Sequence, residues 1–150
     1  TPGELLIRGP IVTPGYWNNE EATQKAIVDG WMHTGDRVVE QPGGYLYVVD
    51  RIKNMFISGG ENVYPAEVER VLQGHPQVSE VVVIGVPDPK WGEVGKACLV
   101  LREGAAFDRD GFAQYCGQRL ARFKIPKHFE VMAALPKGDT GKIGRKALKG

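Results

Sequence analysis

The sequence predicts an α+β fold. A small C-terminal domain, with a β-hairpin and a three-stranded sheet covered by helices, follows the β-rich closing segment of a larger N-terminal domain. Three observations predict it. After Asp50 the residue pattern runs hairpin, helix, strand, strand, helix, strand. Residues 78–86 form a strongly β-branched run, the mark of a central strand. Residues 1–49 hold short strands and turns but no complete compact fold, so the domain boundary is placed between residues 49 and 50.

Taken in order, residues 4–8 are an apolar strand, and Gly9-Pro10 and Pro14-Gly15 mark turns after it. Residues 20–28 are a short helix, with Ala22, Ala26 and Ile27 at helical spacing. Residues 31–39 lead to the turn Pro42-Gly43-Gly44, and residues 45–49 form an aromatic and β-branched strand. Residues 54–58 are expected to pair back on 45–49 as a hairpin. Residues 65–72 form a helix: proline suits its first turn, Glu67 and Glu69 favour its N-terminus, and Val68, Val71 and Leu72 make its apolar stripe. Residues 97–101 and 129–132 are further strands. Residues 108–120 are a second helix, weakened by Gly111 and Gly117.

Composition narrows the function classes. The chain has 150 residues, 42% apolar and 25% charged, with a net charge of +1. That balance gives no global reason to expect nucleic acid or a membrane surface. No apolar run approaches the roughly 20 residues that span a bilayer. The start, Thr1-Pro-Gly-Glu, lacks the features of a secretory signal, and a cytoplasmic location is expected. Cys98 and Cys116 have no metal-ligand or redox spacing and read as reduced core thiols. His33, His75 and His128 are scattered and make no metal site.

Three polar constellations remain. In Trp31-Met-His-Thr-Gly-Asp36, a carboxylate follows a glycine. Asp36 either closes a plain turn or accepts paired hydrogen bonds from a vicinal diol such as a ribose. In Asp50-Arg-Ile-Lys53 and Phe56-Ile-Ser-Gly-Gly-Glu-Asn-Val-Tyr-Pro65, Arg51 offers a fork of donors for hydroxyls or phosphate oxygens. Gly59 and Gly60 permit close approach of backbone to a ligand, or simply close a hairpin onto a helix. In residues 135–145, Leu-Pro-Lys-Gly-Asp-Thr-Gly-Lys-Ile-Gly-Arg, Lys142 is a point charge on a flexible stem between turn-forming residues. It is a solvated turn lysine or a cation delivered to an anionic reaction centre.

In order and spacing these segments resemble the C-terminal part of an AMP-forming acyl-CoA synthetase, in the adenylate-forming superfamily. The resemblance covers nearly the whole chain: Gly3-Glu-Leu with Gly15-Tyr-Trp and Thr23; Trp31 with Thr34-Gly-Asp36; Asp50-Arg-Ile-Lys53 with Ser58-Gly-Gly-Glu-Asn-Val-Tyr-Pro-Ala-Glu-Val-Glu69; Gly85-Val-Pro-Asp88 with Gly92-Glu93; Phe123-Lys-Ile-Pro126; and Pro136-Lys137 with Thr140-Gly-Lys-Ile-Gly-Arg145. It implies that residues 1–49 end a large N-terminal adenylation domain and that residues 50–150 are its small C-terminal lid domain.

The implied reaction has two steps. A carboxylic acid, fatty or aryl, attacks the α-phosphate of ATP held with Mg2+, giving acyl-adenylate and pyrophosphate. The coenzyme A thiol then displaces AMP. The match implies that Asp36 binds the ribose hydroxyls with Arg51 assisting, and that Lys142 is catalytic in the first step. It implies Asp50 as the hinge and Ser58, Gly59, Gly60 and Glu61 as the loop brought in for the thioester step. Gly138-Asp139, and Asn54 after Lys53, depart from the usual pattern. Arg119, Arg122, Lys124 and Lys127 form a basic cluster, read as a solvated face or as contacts for coenzyme A phosphates.

The Ser/Thr/Gly-rich phosphate loop of the family, its acyl pocket and its Mg2+-binding glutamate are not in this sequence. The chain is therefore expected to be a fragment, inactive alone, whose partners are the acid, ATP, coenzyme A and the remaining N-terminal domain. The alternatives are an adenylation domain that loads a carrier protein's phosphopantetheine, and a non-catalytic α+β binding module. The latter calls for a basic sheet face with exposed aromatics, whereas these strands are mostly aliphatic.

Overall fold

Turn chemistry sets the first sheet. The structure, a computed structural model, describes residues 2–149. The described elements begin with β1 (Gly3–Ile7), α1 (Glu20–Ala26), β2 (Ile27–Val28), β3 (Trp31–Glu40) and β4 (Leu46–Arg51). Asn19 caps α1, its Oδ1 accepting the Ala22 N–H at 3.0 Å. The helix is shorter than the expected 20–28. Ile27 already has an extended backbone, and the β-branched pair Ile27-Val28 instead makes a two-residue strand against Trp31 and Met32. The long strand β3 is the centre of a four-stranded antiparallel sheet, flanked by β1, β2 and β4.

The second unit contains β5 (Phe56–Ser58), β6 (Glu61–Val63), α2 (Pro65–Gln73), β7 (Val78–Asp88), β8 (Gly92–Leu101), α3 (Arg109–Gly117) and β9 (His128–Val131). Its sheet runs β6-β5-β8-β7, with β9 added in parallel to β8. The hairpin expected between residues 54–58 and 45–49 does not form. β4 pairs with β3, and β5 pairs with β6. The reason is local. Gly59 and Gly60 both adopt positive φ, 60° and 85°, which makes a two-residue turn that matches strand twist. Ile52–Asn54, by contrast, coils into a single 3₁₀ turn.

The expected three-stranded sheet is present as β7, β8 and β9, extended to five strands by the β5–β6 hairpin. Alternate residues of β7 face opposite sides. Val81 and Val83 join Phe56, Val68, Leu72, Leu99, Phe112 and Cys116 in a core beneath the two helices. Val82 and Ile84 join Cys98, Leu135 and Leu148 in a second cluster on the other face. This two-sided burial explains the unbroken apolar run at 78–86. The α-helices α2 and α3 therefore cover one face, and the C-terminal tail, with its short 3₁₀ turn at Arg145–Leu148, covers the other. α3 ends at Gly117 rather than residue 120. The two compact units divide between Lys53 and Asn54, a few residues beyond the expected boundary, because Asp50 and Arg51 are still laddered to Arg37 and Asp36.

Candidate functional site

In the first unit a bulge re-aims one carboxylate. Between the pairs Glu4–Arg37 and Leu6–His33, β3 carries extra residues against β1. Gly35 takes φ +70° there. Three bonds hold the bulge: the Thr34 hydroxyl donates to the Leu5 carbonyl at 2.8 Å, the Asp36 N–H donates to the Thr34 hydroxyl at 3.1 Å, and the Gly35 N–H donates to Glu4 at 3.1 Å. His33 Nδ1 lies 3.0 Å from the other Glu4 oxygen. These two bonds, the histidine's foremost, outweigh desolvation and hold the Glu4 carboxyl below its ordinary value.

Asp36 and Arg51, expected to act together, are brought together. They face each other across β3 and β4, with Arg51 Nε 2.7 Å from Asp36 Oδ1. Both remain partly exposed. Asp50 is buried within β4 opposite Arg37, and its Oδ1 accepts the Arg51 N–H at 2.6 Å. The irregular turn comes just after it, at Ile52–Asn54.

In the second unit Ser58, Gly59 and Glu61 rim a half-open cavity of about 740 Å³. The turn is pinned to its wall: the Gly59 N–H donates to the Trp91 carbonyl at 2.9 Å. A Cβ on Gly59 would lie 2.8 Å from the Trp91 ring, so only glycine lets the ring lie against the turn. Trp91 and Phe123 supply aromatic surface in this cavity, and Lys90, Arg109, Arg122 and Lys127 supply positive charge. Asp88 closes the turn that carries Lys90 and Trp91. Burial alone would raise its carboxyl, but the N–H groups of Lys90 and Trp91, both at 2.9 Å, and the Lys127 ammonium hold it below its ordinary value.

The expected basic cluster is thereby split. Arg122 and Lys127 line the cavity. Lys124 instead bonds both Glu67 oxygens at 2.8 Å, and Arg119 lies 3.8 Å over the Tyr115 ring. Trp91, Lys90 and Arg109 are cavity residues that the sequence alone did not single out. For Lys90 and Trp91 the signal was the Asp88-Pro-Lys-Trp turn, which reads as an ordinary loop until Asp88 is seen to close it; Arg109, at the start of α3, gave none.

Lys142 sits in a small hairpin. Lys137 and Ile143 make an isolated bridge, the Gly138 N–H donates to the Lys142 carbonyl at 2.8 Å, and the Gly144 N–H donates to the Pro136 carbonyl at 2.8 Å. The hairpin stands between two buried anchors, Leu135 and Leu148. Lys142 itself is exposed, and its ammonium has no salt bridge to any described residue. Two neighbouring cations are engaged, Lys137 with Glu80 at 3.6 Å and Arg145 with Glu69 at 2.8 Å. The Glu69 role was also hidden, since its place in α2 reads as a favourable N-terminal charge.

Among the described residues no group of His, Cys, Asp and Glu could hold a metal ion, and no described helix is long and apolar enough to cross a membrane. Cys98 and Cys116 are buried free thiols. Burial pushes the Cys98 thiol up and the Cys116 thiol to about 11, so both are held as unreactive thiols.

Known proteins share this fold. A family model described as the AMP-binding enzyme C-terminal domain matches residues 67–142, just over half of the chain. The chain is 50% identical over 141 residues to a feruloyl-CoA synthase of Amycolatopsis sp, covering 94% of this chain and 29% of that protein. It is 48% identical over 147 residues to a long-chain-fatty-acid–CoA ligase of Mycobacterium tuberculosis, covering 98% of this chain and 29% of that protein. Among solved structures, o-succinylbenzoate CoA synthetase from Bacillus subtilis, in complex with its acyl-adenylate intermediate, superposes with a TM-score of 0.93 at 43% identity. That match covers 100% of this chain and 31% of the other. The chain thus spans less than a third of the length of these relatives. Its fold and these matches assign it to one family: the chain belongs to the C-terminal domain family of AMP-binding enzymes.

Proposed function

We propose that this chain is the lid-bearing part of an AMP-forming carboxylate–CoA ligase acting on a fatty or aryl acid. One observation carries the reading. The Lys142 ammonium is exposed at an anchored hairpin, without an ion-pair partner among the described residues, while Lys137 and Arg145 on either side of it are held by Glu80 and Glu69. A charge left unpaired on a rigid base is suited to meet charge that exists only during reaction.

In the first step a carboxylate oxygen attacks the α-phosphorus of ATP and the bond to pyrophosphate breaks. Lys142 stabilises the negative charge shared between these groups. Asp36 holds the ribose hydroxyls, with Arg51 beside it assisting. Mg2+ enters with ATP. In the second step the coenzyme A sulfur attacks the acyl carbonyl and AMP departs. The Ser58–Glu61 turn serves this step, and the chain pivots at Asp50 and the turn just after it.

The basic, aromatic cavity supports coenzyme A over a carrier protein as acceptor. Its cations and its two rings suit a phosphorylated nucleotide, which carrier-bound phosphopantetheine lacks. A reducing, cytoplasmic setting fits the two buried free thiols.

The test uses the full-length enzyme. Lys142→Ala is expected to slow adenylate formation by about 10²–10³, read as pyrophosphate release. Thioester formation from preformed acyl-adenylate is expected to stay close to the parent rate. Equal losses in both half-reactions would contradict the role given to Lys142.

A further inference from the structure

The sheet of the second unit ends at β7, and an edge strand leaves alternate peptide groups without a strand partner. At Val83, fully buried, two side chains supply what a neighbouring strand would. Glu69 Oε1, from α2, accepts the Val83 N–H at 2.8 Å. Arg145 Nη1, from the C-terminal tail, donates to the Val83 carbonyl at 2.6 Å. The two side chains also close on each other, Arg145 Nη2 lying 2.8 Å from the same Glu69 oxygen. They are 27% and 19% exposed respectively, so water competes weakly for these bonds. A rigid guanidinium fork serves a carbonyl and a carboxylate at once. An ammonium keeps the charge but not that fixed geometry.

Arg145 comes directly after the bond that closes the Lys142 hairpin, Gly144 N–H to Pro136 carbonyl. Leu135 and Leu148 bury the ends of the tail, but apolar burial is non-directional and does not set the rotation of the segment between them. We infer that the Glu69–Arg145 pair, locked onto the Val83 peptide, is the positioning device that fixes where the Lys142 hairpin projects. Neither residue meets the reacting atoms; both act through Lys142. The inference rests on the catalytic role proposed above for that lysine.

The experiment uses the full-length enzyme with Arg145→Met, Arg145→Lys and Glu69→Gln, beside Lys142→Ala. The two half-reactions and the melting temperature are measured separately. Arg145→Met is expected to lower kcat for adenylation about 10–100-fold. KM for ATP and the rate of thioester formation from preformed adenylate are expected to stay within about 3-fold. Glu69→Gln, which keeps an acceptor for the Val83 N–H, is expected to show the same selective loss, and Arg145→Lys to recover part of it.

A pair that only holds the fold together would depress both half-reactions along with the melting temperature. That result, or full adenylation by a folded Arg145→Met variant, overturns the inference. Should Arg145→Met not fold, Glu69→Gln and Arg145→Lys decide it on the same criterion. Lys142→Ala separates the two levels. If it retains adenylation, the role of the lysine falls and the positioning claim with it. If it loses adenylation while the Arg145 and Glu69 variants keep theirs, only the positioning claim falls.

Discussion

At the scale of single residues, Gly59 shows how tightly one position can be specified. Its φ of +60° is one that side chains resist, and an added Cβ would meet the Trp91 ring at 2.8 Å. Gly59→Ala is expected to cost roughly 1–2 kcal/mol from the left-handed backbone, with a further cost as the ring is displaced. Urea denaturation measures the first effect. The thioester half-reaction of the full-length enzyme reports the second, and adenylation is expected to change little. Asp36, Arg51 and Lys142 were legible as candidates through the order and spacing of the motifs that carry them, since each alone also reads as an ordinary turn or surface residue. The contact between Asp36 and Arg51 was not, since it depends on cross-strand register, which only the assembled sheet fixes. Glu69 and Trp91 were illegible for the same reason. Glu69 meets the Val83 peptide group, and Trp91 meets the Gly59 turn, far along the chain.

At the scale of elements, α2 ties down two loops. Glu67 holds Lys124 in the Arg122–Lys124 turn, and Glu69 holds Arg145 in the tail. Lys124→Met is expected to cost no more than about 1 kcal/mol, because the pair is partly solvated and screened. It releases the turn that carries Arg122 and Phe123 into the cavity, so KM for coenzyme A is expected to rise while adenylation is unchanged. Steady-state kinetics with coenzyme A varied decide it; an unchanged KM would remove the turn from acceptor binding. Helix and strand identities were legible here from periodicity, as in the β-branched run that became β7. The hairpin partner was not. Residues 54–58 have strand character, but the two-glycine turn after them gave them a nearer mate than the strand before. The cover on the second face of the sheet was also hidden, because residues 132–149 contain little regular structure and bury mainly Leu135 and Leu148.

At the scale of the whole molecule, the second unit begins to lose stability in acid before the first, although both carry a depressed carboxyl, Asp88 and Glu4. In the second unit, burial and then Arg119 lower the pKa of His75, whose Nδ1 accepts the Gln77 N–H at 3.2 Å. A histidine depressed in the folded state gives stability that is present above its unfolded pKa of about 6.5 and is lost as pH falls through the folded value. In the first unit, the depressed Glu4 carboxyl gives stability that is lost only at lower pH, below its ordinary value of 4.5. Urea midpoints are therefore expected to fall first for the second unit, between neutral and mildly acid pH, and His75→Gln is expected to flatten that first slope. A single slope confined to the carboxylate range would contradict this order. The pair that clamps the Val83 peptide has one more consequence. The outer rim of a sheet is where a stranger's backbone would zip on, and at Val83 both the N–H and the carbonyl are already taken by a carboxylate and a guanidinium. A foreign strand would have to break this clamp before it could pair with the Val83 peptide group.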